Sequence, residues 1–167
     1  MDAYTQVIHR LEIRNFAEEQ NIPNTIVRKI VEAGRLSPSA MNRQPWKFKV
    51  ITNPGKLAEL ASIHPHARFV GSAGFAVAVY TSDQKFGPID ATRAISHMQI
   101  AAWVLSPRIG SCFNFGWNEL QVQEIIGAVK GYQLFTIIPF GYPRISKVKG
   151  KKNRKSWHEV VLEDWDT

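Results

Sequence analysis

The chain has 167 residues, of which 44% are hydrophobic and 21% charged, the composition of a single globular domain over 1–167 rather than of a disordered chain. No apolar run reaches the roughly 18 residues that span a bilayer, the N-terminus lacks the charged-then-apolar layout of a secretory signal, and the single cysteine, Cys112, excludes an internal disulfide or a cysteine metal cluster, so a cytoplasmic protein is expected. The net charge of +7 is local: Lys147, Lys149, Lys151, Lys152, Arg154 and Lys155 supply six positive charges, and the remainder carries 7 − 6 = +1.

Residues 2–9 read as a short helix with Tyr4, Val7 and Ile8 on one side. From Arg10 to Phe16 polar and apolar residues alternate, a strand-like period that puts Arg10, Glu12 and Arg14 on one face. Two cations on one face can hold a phosphate or an anionic ring edge; a solvated edge strand is the plainer alternative. Ile22-Pro23 opens a helix with Ile26, Ile30 and Ala33 on its buried face. Lys47 to Thr52 alternates as a strand, Asn53-Pro54-Gly55 is a turn, and Leu57 to Ile63 is a short helix with Leu57, Leu60 and Ala61 inward. His64 and His66 stand two apart with no third metal ligand signalled nearby. Gly74 to Thr81 is an apolar run of central-strand length. The longest helix is expected from Asp90, with a stripe from Ala91 to Leu105, and Pro107 ends it. Ile109 to Trp117 reads as strand then loop, and Cys112 within it as a small buried hydrophobe. Glu119 to Ala128 is a helix and Tyr132 to Phe140 another internal strand. The region 144–167 is a basic segment and tail in which Val160, Val161 and Leu162 form a strand-like patch.

The most unusual stretch is Leu36 to Phe48, LSPSAMNRQPWKF. Pro38 and Pro45 each fix φ and restrain the residue before them, so the loop is rigid. Ser39, Asn42 and Gln44 bring hydrogen-bonding groups to it, and Trp46 and Phe48 bring aromatic surface at strand spacing. Such a loop can approach a flat polar heterocycle and read its edge; an ordinary helix-to-strand connection is the alternative.

That stretch resembles the signature loop of the nitroreductase family of homodimeric FMN-dependent oxidoreductases, roughly APSxxNxQPWxF. Arg10, Arg14 and Phe16 are similar to the family's opening segment, and Phe140 to Pro143, FGYP followed by a basic cluster, to its closing one. The resemblance implies an α+β fold, a mixed, mostly antiparallel central sheet flanked by helices, and a dimer with an exchanged C-terminal tail. It implies FMN at the subunit interface. Arg10, Lys152 and Arg154 would hold the phosphate, and Arg14 would face the region of the flavin that gains negative charge. Asn42 and Gln44, with the backbone of Pro38, Ser39 and Ala40, would meet the ring edge from the partner subunit. Phe115 and Gly116 would set a backbone N–H against flavin N5. NADH or NADPH would then reduce the flavin, and a quinone, nitroaromatic or similar acceptor would reoxidise it, in a ping-pong cycle.

Two departures stand out. Glu12 occupies a place usually held by a small polar residue, and a carboxylate beside a phosphate is repulsive unless Arg10 or Arg14 pairs with it. Leu11 replaces a frequent second arginine. Two other functions compete: a flavin-dependent dehydrogenase of a specialised metabolite, and a nucleic-acid-binding module using residues 147–155.

Overall fold

In the computed structural model, which describes residues 2–17, 21–83, 85–144 and 152–162, the apolar run FAVAVYT is strand β2 (Phe75–Thr81), and every residue of it is buried. It lies between β1 (Trp46–Ile51) and β4 (Gln133–Gly141), with the two-residue β3 (Gly110–Ser111) outside β4. All these pairings are antiparallel, so the sheet expected to be mixed and mostly antiparallel is wholly antiparallel among the described residues.

The period of two in β2 explains why it is apolar throughout. Phe75, Val77 and Val79 face one layer, formed by α2 (Asn24–Arg35) and α4 (Gly87–Val104). Ala76, Ala78 and Tyr80 face the other, formed by α3 (Pro54–Ser62) and α5 (Glu119–Ile126). The α2 face uses Val27, Ile30 and Gly34; Ile26 and Ala33, expected on it, are half-buried at its edges. Gly34 is required there, because a Cβ would come within 2.7 Å of Met98 on α4. Helix α4 starts at Gly87, ahead of the Asp90 expected from sequence. The Asp83 carboxylate accepts the N–H groups of Lys85 and Phe86 and fixes the preceding turn.

Helix α1 (Ala3–His9) is capped by the Asp2 side chain and has no buried residue. Tyr4 is 73% exposed, and Val7 and Ile8 are also exposed. The segment expected to be a strand over Arg10–Phe16 is extended but joins no ladder. It makes one isolated bridge, Phe16 to Pro143, and backbone bonds from Ile13 N–H to Ser111, from Ala17 N–H to Tyr142 and from Arg144 N–H to Asn15. Only two residues of β3 are available at that end of the sheet, too few to template a strand. Side-chain packing holds the segment instead. Ile13 sits over Gly110 and Phe16 over Gly141, each 2.6 Å from where a Cβ would stand.

The strand-like patch expected at Val160–Leu162 is also corrected. Trp157–Val160 form a short helix, α6, started by a capping box between Ser156 and Glu159. Val160 and Leu162 are exposed. Lys147, Lys149 and Lys151 of the basic segment lie outside the described residues.

Candidate functional site

The N-terminal segment leaves α1 carrying Arg10, Glu12 and Arg14. Glu12 is its hub. Its carboxylate lies 2.6 Å from Arg10 Nη1, accepts the Phe113 N–H at 2.7 Å and takes weaker contacts from the Gln99 amide at 3.4 Å. The Arg10 contact is an ion pair by distance that is not aligned as a hydrogen bond, since that buried Nη1 has no hydrogen-bond partner. The pairing that Glu12 needed is therefore present. Arg14 is exposed, near Cys112. Burial pushes the Cys112 thiol above its ordinary range, Glu12 adds to the rise, and Arg14 opposes it. The thiol is 1% exposed and behaves as the small hydrophobe expected.

The tail returns to the same place. Lys152 Nζ donates to the carbonyl of Ile8, two residues from Arg10. Arg154 is exposed, its guanidinium bonded to the Asn153 carbonyl. Arg10, Glu12, Arg14 and Lys152 thus gather around the exit from α1, although they come from the two ends of the chain.

The signature loop lies elsewhere. Ala40–Asn42 form a 3₁₀ turn, and Met41, Asn42 and Gln44 adopt φ of 50°, 54° and 50°. Left-handed conformations are costly for side-chain-bearing residues. They are held by short-range bonds: Gln44 N–H to Ser39 Oγ at 2.9 Å, and the Gln44 amide to Asn42 Oδ1 at 3.1 Å. The main external tie is the Ala40 N–H, which meets both oxygens of Asp90 at 3.1 Å. Asp90 is 2% exposed in the first turns of α4. The Pro38 ring and the side chains of Asn42 and Gln44 remain exposed.

Asp90 anchors the signature loop, and Gln99 contacts the Glu12 hub. The two stand nine residues apart on α4, which is two and a half turns and about 14 Å. They project from opposite faces of the helix. Within one chain, the two halves of the expected site are brought to different sides of α4.

The Phe115–Gly116 turn belongs to the hub side, reached through Phe113. Gly116 has φ +89°, a conformation open to glycine. Phe113, Phe115 and Phe135 form an edge-to-face trio with centroids 4.2–6.1 Å apart. His64 Nε2 bonds the Phe115 carbonyl at 2.8 Å. Sequence reasoning weighed His64 only as a metal ligand and took Asp90 only as a helix start. Neither role leaves a local signal, since each bond joins residues about 50 positions apart. A separate open groove of about 760 Å³ runs between α2 and β1, the outer strand of the sheet among the described residues, lined by Arg28, Lys29, Lys47, Phe48 and Val50 among others.

A family model described as the nitroreductase family matches residues 7–69. A Methanothermobacter thermautotrophicus protein assigned by inference as an NADH dehydrogenase/NAD(P)H nitroreductase is 26% identical over 175 residues, covering 99% of this chain and 88% of the relative. Among solved structures, a nitroreductase-like protein from Streptococcus mutans superposes with a TM-score of 0.87 at 14% identity, covering 97% of this chain and 98% of the other. An FMN-dependent nitroreductase from Clostridium difficile superposes with a TM-score of 0.80 at 21% identity, covering 96% and 98%.

Proposed function

From the premise that this chain belongs to the nitroreductase family, we propose that it is an FMN-dependent NAD(P)H oxidoreductase that works as a homodimer. The observation that carries this reading is the division of the site across α4. A flavin spanning the hub and a signature loop would take the hub from one chain and the loop from its partner, because one chain sets them on opposite faces of the helix. The exposed apolar side of α1 and the exposed Ile89 of α4 supply surface for such a partner.

The residues fit the cofactor. Arg10, Lys152 and Arg154 would hold a phosphate, with Glu12 already paired to Arg10 and so not left as a bare negative charge. Arg14 would stand near the ring, where a cation favours the reduced, anionic form. The rigid loop Pro38–Gln44 would present Asn42 and Gln44 to the ring edge with little ordering left to be done on binding. FMN, when bound, would supply two-electron hydride chemistry with NADH or NADPH as donor. The side chains described bind and orient. Exchange of the C-terminal tail with the partner subunit belongs to the same proposal.

The visible spectrum of the purified protein, with heat release of any chromophore, tests the cofactor. The expected result is FMN at about one per chain and a sedimenting species of twice 18.9 kDa. A colourless protein that takes up no added FMN would sink the reading.

A further inference from the structure

We propose that His64 is a positioning residue that aims the backbone N–H of Gly116 at the cofactor, an inference that rests on the FMN reading above. His64 is 4% exposed and packs against Trp117 with centroids 4.7 Å apart and the rings tilted by 51°. Its Nδ1 accepts the His66 N–H at 3.1 Å, so that nitrogen carries no proton. The ring proton then resides on Nε2, which donates to the Phe115 carbonyl at 2.8 Å. The two bonds fix the tautomer, and with the tilted Trp117 contact they fix the orientation of the ring.

The consequence follows from peptide geometry. The Phe115 carbonyl and the Gly116 N–H belong to one peptide unit, and that bond is trans. In a trans peptide the two dipoles point in opposite directions. By capturing the carbonyl in the buried layer, His64 turns the N–H outward. Gly116 is exposed, and its N–H makes no hydrogen bond to any described residue. Its φ of +89° is what lets the chain turn there, and His64 Nε2 is the atom that a Cβ would meet, at 3.5 Å. A backbone donor left open in this way, on a turn braced from behind, is ready to meet a ring nitrogen acceptor without rearrangement.

Two substitutions separate the bonds. Asn at position 64 reaches as far as Nδ1, keeping an acceptor for the His66 N–H and losing Phe115. Gln reaches as far as Nε2, keeping a donor for the Phe115 carbonyl and losing His66. His64→Asn is expected to slow flavin reduction by NADH or NADPH roughly tenfold, the worth of one neutral hydrogen bond, at little change in KM, and to shift the flavin's visible band. His64→Gln is expected to restore both. In the wild-type protein, hydrogen exchange at the Gly116 amide is expected to slow on addition of FMN, a readout that needs no variant. An unchanged Gly116 amide in FMN-loaded protein, or a His64→Asn enzyme with wild-type rate and spectrum, overturns the role of His64. Failure of the wild-type protein to bind FMN overturns the cofactor reading instead.

Discussion

Replacing Asp90 by alanine should loosen the signature loop, and the size of the effect can be worked from the contacts. The Asp90 carboxylate is 2% exposed and accepts the Ala40 N–H through both oxygens at 3.1 Å. A hydrogen bond to a charged group is worth about 1.5–3 kcal/mol. Three residues of the loop, Met41, Asn42 and Gln44, hold positive φ, each at a cost on the order of 1 kcal/mol. The Ser39 and Asn42 bonds hold that conformation within the loop, so losing Asp90 should free the loop from α4 and cost the value of the tie. Asp90→Ala is expected to lower stability by about 2–3 kcal/mol, with the midpoint of thermal unfolding falling roughly 2–4 °C for each kcal/mol. Asp90→Asn keeps one acceptor oxygen and should cost about half as much. Arg93→Ala is the control, because its guanidinium is 3.8 Å from Asp90 and half-exposed, and should stay within about 0.5 kcal/mol. Urea denaturation measures all three. An Asp90→Ala protein within about 0.5 kcal/mol of wild type would refute the idea that this carboxylate anchors the loop.

Gly141→Ala places a methyl 2.6 Å from the Phe16 ring and is expected to cost about 1–3 kcal/mol by overpacking, read in the same denaturation assay. Cys112 should resist a thiol reagent in the folded protein and react fully in denaturant, because it is buried and desolvation holds its thiol protonated to higher pH than an ordinary cysteine. Arg10→Ala is expected to weaken FMN binding roughly tenfold or more while leaving riboflavin, which lacks the phosphate, nearly unaffected; flavin fluorescence quenching measures both, and equal losses would remove Arg10 from the phosphate.

Much of the fold is legible in the chain because its signals are local. FAVAVYT is buried on both faces and reads so, and Leu57, Leu60 and Ala61 point inward as their spacing requires. The signature loop is legible as rigid from Pro38 and Pro45, although its three left-handed residues are not, since none of them is glycine. Val160–Leu162 misled because β-branched residues suggested a strand while Ser156 and Glu159, a readable capping box, had already started a helix. The alternation of Arg10–Phe16 suggested a strand, and Ile13 and Phe16 are indeed buried, but a strand also needs a partner edge, and β3 is two residues long. Asp90 and His64 were hidden for a different reason. A buried carboxylate or imidazole acquires its meaning from a backbone group about 50 positions away, and nothing in the flanking residues announces it.

The seating of Ile13 over Gly110 and Phe16 over Gly141 has a consequence for protein engineering. Two anchors three residues apart set both the position along the sheet's end and the rotation of the segment between and before them. Of the charged side chains on the segment, Glu12 is bound to Arg10 and to the Phe113 N–H, whereas Arg14 is exposed. Position 14 is thus a graft site, in which the charge presented to a ligand can be rewritten while the two glycine sockets keep the new residue in register.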